Sequence, residues 1–186
     1  MMEEKRILRR LSKLKSLLPA GTTVEGLIGK AKERETKMAD YIPEISRAEY
    51  RPERTYGGIA ETASIYVSTK SGSLAELSRF DWEGPTGKDF REDYGDKPIV
   101  QRIKPPVFWF NRLLAARGYE GKGDGRLIMV TLEKLLDDHG ITVINGVNPY
   151  GGLDRKKLTK FYEKYGFVLV EKTIMVREPR PVSKEA

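Results

Sequence analysis

Apolar positions recur at helical spacing in four stretches of the chain and alternate or cluster as strands between them. Ile7, Leu11, Leu14 and Leu18 lie on one face of a helix over residues 3–18, with Leu8 beside them and basic residues opposite. Pro19 and Gly21 end it. A second helix is expected from Thr23 to Tyr41, capped by Thr22 or Thr23 and stopped before Pro43. Residues 42–60, rich in Pro, Gly and Arg, read as a loop. Thr62 to Thr69 alternates and is β-branched, which predicts a strand with Ile65 and Val67 on one face. Leu74, Leu77 and Phe80 suggest a partly helical excursion, followed by an exposed turn at Gly84-Pro85-Thr86-Gly87.

The second half is more regular. Ile99 to Ile103 reads as a short strand, and Pro105-Pro106 separates it from a longer apolar strand, Val107 to Ala115. Ile128, Leu132 and Leu135 mark one face of a helix that ends at His139 with Gly140 as its stop. Ile141 to Val147 is the next strand. Asp154 is placed to cap a helix carrying Leu158, Phe161, Tyr162 and Tyr165, and Gly166 ends that helix. Phe167 to Val176 returns as a strand, and the tail from Arg177 reads as loose. Strand, helix, strand, helix, strand across 107–176 implies an α/β sandwich with a mixed sheet flanked by helices. The earlier strands extend its other edge.

Composition narrows the chemistry. The 186 residues fit one domain with an appended arm and contain no run of about 18 apolar residues, so no membrane span is expected. A signal peptide is not expected either, because Arg9, Arg10, Lys13 and Lys15 break the first apolar stretch. Cysteine is absent, which excludes disulfides, cysteine zinc sites and thiol catalysis and suits a cytoplasmic location. His139 is the single histidine; the end of its helix points it to free carbonyls and the helix dipole. A multi-histidine metal site is excluded, so no metal is expected. Chemistry must come from carboxylates, tyrosines, backbone donors or a bound coenzyme. The net charge of +7 suggests an anionic partner, nucleic acid or a phosphorylated small molecule among them.

Between the strand at 107–115 and the helix after it stands Tyr119-Glu120-Gly121-Lys122-Gly123-Asp124-Gly125. Its alternating glycines do not follow the dinucleotide fingerprint, and Gly84 to Lys88 lacks P-loop spacing. Three glycines in five positions still let the amides of residues 121–126 point into one concavity at the positive end of a helix, a field suited to pyrophosphate. A flexible connection is the competing reading.

The run Arg112 to Gly125, together with Phe161-Tyr162-Glu163-Lys164-Tyr165-Gly166-Phe167, resembles the two hallmarks of the GNAT acyl-CoA N-acyltransferase family. There a strand runs into Arg/Gln-x-x-Gly-x-Gly/Ala and a long helix. The resemblance spans roughly residues 105–176. It implies a GNAT-like mixed, mostly antiparallel sheet flanked by helices, whose splayed strands form a coenzyme A cleft. Residues 1–20 would form a basic arm, 21–178 the acyltransferase domain and 179–186 a flexible tail. Acetyl-CoA is the implied cosubstrate. Gly121, Lys122, Gly123, Gly125 and Arg126 would hold its pyrophosphate, and Leu114, Ala115 and Ala116 would pair with the pantetheine arm. Tyr162 would protonate the departing thiolate; a phenol at about 10 against a thiol at about 8.5 makes that transfer only mildly uphill.

This chain departs from the pattern at two positions. Glu120 stands where the family has Arg or Gln, and would repel pyrophosphate if it turned inward. The family's Asn before the tyrosine helix falls near Arg155, leaving Asn148 as the substitute. Glu61 and Asp81 are candidate general bases for an amine acceptor, which could be a small molecule, a protein or a nucleobase. A nucleic-acid alternative would use the arm at 5–15, Arg112, Arg117 and Arg126, with Trp82, Trp109 and Tyr56 to stack bases. A non-catalytic interaction protein, associating through its first helix, is the third reading.

Overall fold

The structure is a computed structural model that describes residues 41–56, 59–149 and 154–181, with side chains described for all of these except 54–56 and 59–61. The helices expected over 3–18 and from Thr23, and with them the basic arm, fall outside these residues. The strands and helices below belong to the unit Pro43–Ala186.

Residues 42–60 are not a loop. They carry β1 (Ile45–Arg51) and a two-stranded hairpin, β2 (Arg54–Tyr56) with β3 (Ile59–Glu61). Arg47 and Arg51 sit on an exposed edge strand, where one row of backbone groups needs no partner, and Pro43 and Pro52 flank that strand. β4 (Ser64–Thr69) alternates as expected, with Ile65 and Val67 fully buried. The expected helical excursion is instead β5 (Leu74–Arg79). Leu74 and Leu77 do fit a helical interval, but Ala75 and Leu77 point inward at the period of two, and Gly72 at φ 93° turns the chain back onto β4.

Gly84 to Gly87 is the start of a helix, α1 (Pro85–Tyr94), rather than a free turn. Pro85 occupies the first helical position, where its missing N–H costs nothing. A Cβ on Gly87 would stand 2.0 Å from the carbonyl of Trp82, so only glycine lets the helix seat there. The segment expected as a strand over 99–103 is a short helix, α2 (Pro98–Gln101), again opened by proline. Val100 and Ile103 are buried three residues apart, so helical spacing prevails over their β-branching.

β6 (Val107–Leu114), α3 (Asp124–Asp138), β7 (Thr142–Gly146) and α4 (Arg155–Glu163) follow the expected order. Gly140 at φ 61° ends α3 as expected, but the His139 ring packs on Tyr50 at 4.5 Å and not on carbonyls. The last strand is two, β8 (Val168–Glu171) and β9 (Ile174–Arg177), folded as a hairpin. Nor is Arg177 loose: it is fully buried at the end of β9.

The seven-stranded sheet runs β1-β4-β5-β6-β7-β9-β8, antiparallel throughout except for the central pair β6–β7. Helices cover both faces. Ile65, Leu77, Phe108, Phe110 and Val143 meet α3 and α4, through Ile128, Leu132, Leu136 and Tyr162. Val107, Ile144 and Val176 meet α1 and α2, through Phe90 and Val100. This is a mixed α/β fold with a mostly antiparallel open sheet, consistent with the GNAT-like architecture. Among the described residues no helix is long and apolar enough to cross a membrane.

Candidate functional site

β6 and β7 part company in the middle of the sheet. Their parallel pairing consists of Val107–Thr142, Phe108–Val143 and Trp109–Ile144, and stops there. β6 continues from Phe110 to Leu114 beside β5, with Asn111 left over as a bulge between Phe110, opposite Leu77, and Arg112, opposite Glu76. A bulge bends its strand and increases its twist, which carries this end of β6 away from β7. On the far side β7 stays paired to β9 up to Gly146–Ile174. The result is a wedge-shaped gap open toward the strand ends that lead into the glycine turn and into α4.

The glycine turn is shaped by backbone conformations that side chains resist. Gly118, Gly121 and Gly123 have φ of 87°, 74° and 99°. Gly123 opens α3 in the left-handed conformation with no side-chain cap. The first bond of that helix is Leu127 N to Gly123 O at 3.0 Å. Among the described residues the amides of Gly121, Gly123, Gly125 and Arg126 have no acceptor, and they cluster at the positive end of a fifteen-residue helix. Glu120 does not compete for them. Its carboxylate accepts the amide of Gly118 at 2.8 Å, turned back on its own loop.

A buried carboxylate holds this turn to the rest of the sheet. Asp124, 1% exposed at the first position of α3, accepts from the hydroxyls of Ser71, Ser73 (2.6 Å) and Thr69 (3.4 Å). Ser73 Oγ in turn accepts the Ala116 amide at 2.8 Å. Both ends of the glycine turn are thereby tied to the β4–β5 corner.

Tyr162 packs beside the point where β6 leaves β7. It is 7% exposed, edge-on to Phe110 of β6 at 5.7 Å and close to Phe161 and Phe167. Burial pushes its phenol up to about 12, and the Asn145 side chain beside it pulls the other way. The neighbouring Tyr165 is also raised by burial, with the charge of Arg126 opposing. A Cβ placed on Gly125 would stand 3.9 Å from the Phe161 ring. The glycine turn and the tyrosine helix, some forty residues apart in sequence, therefore meet beside the gap.

No family model matches the chain and no curated protein matches it. Among solved structures, the chain is similar to a crystal structure of the anti-CRISPR protein AcrVA5. The two are 13% identical over 61% of this chain and 96% of that one, with a TM-score of 0.39. A likeness of that size carries no functional weight.

The expected residues divide into three groups. Gly121, Gly123, Gly125, Lys122 and Arg126 share the start of α3, the two cations exposed there, while Tyr162 is buried among Phe110, Phe161 and Phe167. Leu114 and Ala115 are exposed at the end of β6, but the Ala116 amide is already taken by Ser73. Asn148 is exposed past β7 and makes no hydrogen bond among the described residues. Asp81, offered as a base, accepts the Gly84 amide at 3.0 Å and caps the turn into α1; the Glu61 side chain lies outside the described set, as does Tyr56. Trp82 is core, under the Arg91 guanidinium, and Arg112 is paired with Glu76 at 2.7 Å. Trp109 is partly buried against Phe80, and Arg117 is exposed. Sequence reasoning missed Asp124, Ser73 and Asn145. The Ser-Gly-Ser corner and the acid at the helix start were visible; what joins them is tertiary.

Proposed function

We propose that this chain is an acyl-CoA-dependent N-acyltransferase. The observation that carries the proposal is the parting of β6 and β7 beyond Trp109 and Ile144, flanked by unengaged α3 amides, with Tyr162 packed beside it.

Each part has chemistry to match. Acceptor-free amides at a helix start suit the pyrophosphate of coenzyme A, with Lys122 and Arg126 adding charge. The unpaired side of β6 from Phe110 suits an arm that itself carries amides. A neutral amine attacks the thioester carbonyl and its nitrogen gives up a proton to water. The tetrahedral oxyanion collapses, and the sulfur leaves as a thiolate that takes a proton from Tyr162, which water restores. Backbone donors aimed at the oxyanion contribute about 3 kcal/mol each. The Glu120 objection is met by its bond to Gly118. The Tyr162 step is harder than sequence alone implies, because a phenol at about 12 lies further above a thiol at about 8.5 than a free phenol does.

The test is a mass-spectrometric screen for acetyl-CoA hydrolysis and amine acylation, with wild type beside Tyr162→Phe. Transfer that falls about a hundredfold in the variant supports the reading. Failure of the purified full-length protein to bind coenzyme A or acetyl-CoA at millimolar concentration ends it.

A further inference from the structure

The two edges of the sheet are finished differently. β1 carries Arg47, Glu49 and Arg51, paired with one another, and Pro52 follows it. Charges and proline of that kind keep an edge from pairing with other chains. β8 has no such guard over its first two residues. Val168 is 51% exposed and Leu169 45%, the one adjacent pair among the five large apolar side chains exposed in the described residues. β8 pairs with β9 alone, and its pairing irregularity falls beyond Leu169. Its outer row of backbone groups meets no partner among the described residues.

Beside that edge lies a groove of about 410 Å³, lined by Leu169 and by Arg155, Lys156, Thr159, Lys160 and Glu163 of α4. These α4 residues lie on the stripe of the helix away from Leu158, Tyr162 and Tyr165, which pack on the core. Lys157 is paired with Asp154 at 3.4 Å, whereas Arg155, Lys156 and Lys160 have no ion pair among the described residues. Side-chain stems and Leu169 give the groove an apolar floor beneath three cations.

We propose that the β8 edge and the α4 groove form a docking site for an acidic peptide, which adds to the seven-stranded sheet as a further strand. The lengths agree. Arg155 to Glu163 spans about 12 Å, the reach of about four extended residues, and β8 has four. The register says what such a peptide carries. Leu169 stands opposite Met175, on the face that meets α3 and α4, and Val168 opposite Val176, on the face that meets α1 and α2. Side chains of the added strand on the α4 face meet Leu169 and the cations, which suits a glutamate with its short apolar stem. Those on the other face lie beside Val168, which suits an aliphatic residue.

Charge and ring chemistry disfavour other occupants. Antiparallel pairing of β8 with β8 of a second copy would set two basic α4 helices side by side, on a chain of net charge +7. The first twenty residues of the chain carry six Lys and Arg against two Glu, so they too would be repelled. A single nucleic-acid strand binds by stacking bases on aromatic rings, and the groove is lined by none.

The site stands apart from the acyltransferase reading, because it uses the outer stripe of α4. The probe is a capped, fluorescein-labelled Glu-Val-Glu-Val-Glu-Val peptide, titrated with the full-length protein and followed by fluorescence anisotropy. Saturable binding is expected, weakened about tenfold by joint Lys156→Glu and Lys160→Glu and weakened also by Leu169→Ser. All three side chains are exposed, so thermal melts of the variants should match the wild type. Two further peptides test strand addition itself, one N-methylated at its glutamates and the other at its valines. In an extended chain these two sets of amides point to opposite edges, so one peptide loses binding and the other keeps it. No binding of the parent peptide, equal effects of the two methylations, or indifference to the charge reversals overturns the proposal. So does preference for the Lys-Val counterpart or for oligothymidylate, or dimerisation of the protein alone through β8, abolished by Leu169→Ser in sedimentation.

Discussion

Arg177 Nη2 donates to Asp137 Oδ1 at 2.8 Å, and its Nε donates to the carbonyl of Tyr165 at 3.0 Å. One buried guanidinium thus ties the last strand to the end of α3 and to the turn after α4. Asp137 also accepts the backbone amide of Arg180, so the carboxylate is shared. Breaking one partner of a buried pair strands the other. Arg177→Ala is expected to lower stability by about 3–5 kcal/mol, and Arg177→Met, which keeps most of the volume, by less. Urea midpoints for the two variants check the order.

Gly125→Ala separates the ligand site from the fold. Gly125 lies inside α3 without a positive φ, and the new methyl would make ordinary contact with Phe161. Stability should hold or rise by about 0.5–1 kcal/mol. Acetyl-CoA affinity should fall about tenfold, because the methyl obstructs close approach to the α3 amides. Gly123→Ala behaves differently: at φ 99°, with Pro43 Cγ at 3.2 Å from the new carbon, it should cost about 1–2 kcal/mol as well as affinity. Thermal melts and calorimetric titration of the pair would show the contrast.

Asp124→Ala leaves three hydroxyls, on Thr69, Ser71 and Ser73, without their shared acceptor. A loss of about 2–3 kcal/mol is expected, with Asp124→Asn milder because an amide oxygen can still accept. Equilibrium unfolding gives the magnitude. Amide exchange at Ala116, whose N–H is held by Ser73, should speed up in the alanine variant.

Tyr162 also sets a limit on alkaline stability. Its phenol is raised to about 12 when folded and returns to about 10 when unfolded. Above pH 10 the unfolded chain therefore holds fewer protons than the native one, and stability declines as pH rises. The contribution is intact below pH 10 and is lost between pH 10 and 12, about 2–3 kcal/mol in all. Tyr162→Phe removes that slope, so the variant should outlast the wild type against alkaline unfolding in this window.

Legibility in the sequence followed the range of the interactions. Ile65 and Val67, the β6 run, α3 with its Gly140 stop and the Asp154 cap are set by neighbours along the chain, and each is where periodicity or capping places it. β5 and α2 are not. Leu74 and Leu77 sit at a helical interval while Ala75 and Leu77 sit at a strand one, and Ile99 and Val100 favour strands alone but pack as a helix behind Pro98. Which alternative wins depends on packing partners far away. At the site, the glycines and Tyr162 could be singled out by motif. The gap beside them could not, since it depends on where one strand stops pairing with its neighbour.

As a mechanical part, the sheet is two antiparallel plates, β1-β4-β5-β6 and β7-β9-β8, riveted only along Val107–Trp109 and Thr142–Ile144. α3 rests mainly on the first plate and α4 against β8 of the second, while Tyr162 of α4 reaches Phe110 of β6 and Arg177 of β9 reaches Asp137 of α3. A slender molecule seated in the seam would brace the plates against shear, so the stiffness of the whole sheet becomes something a ligand can add.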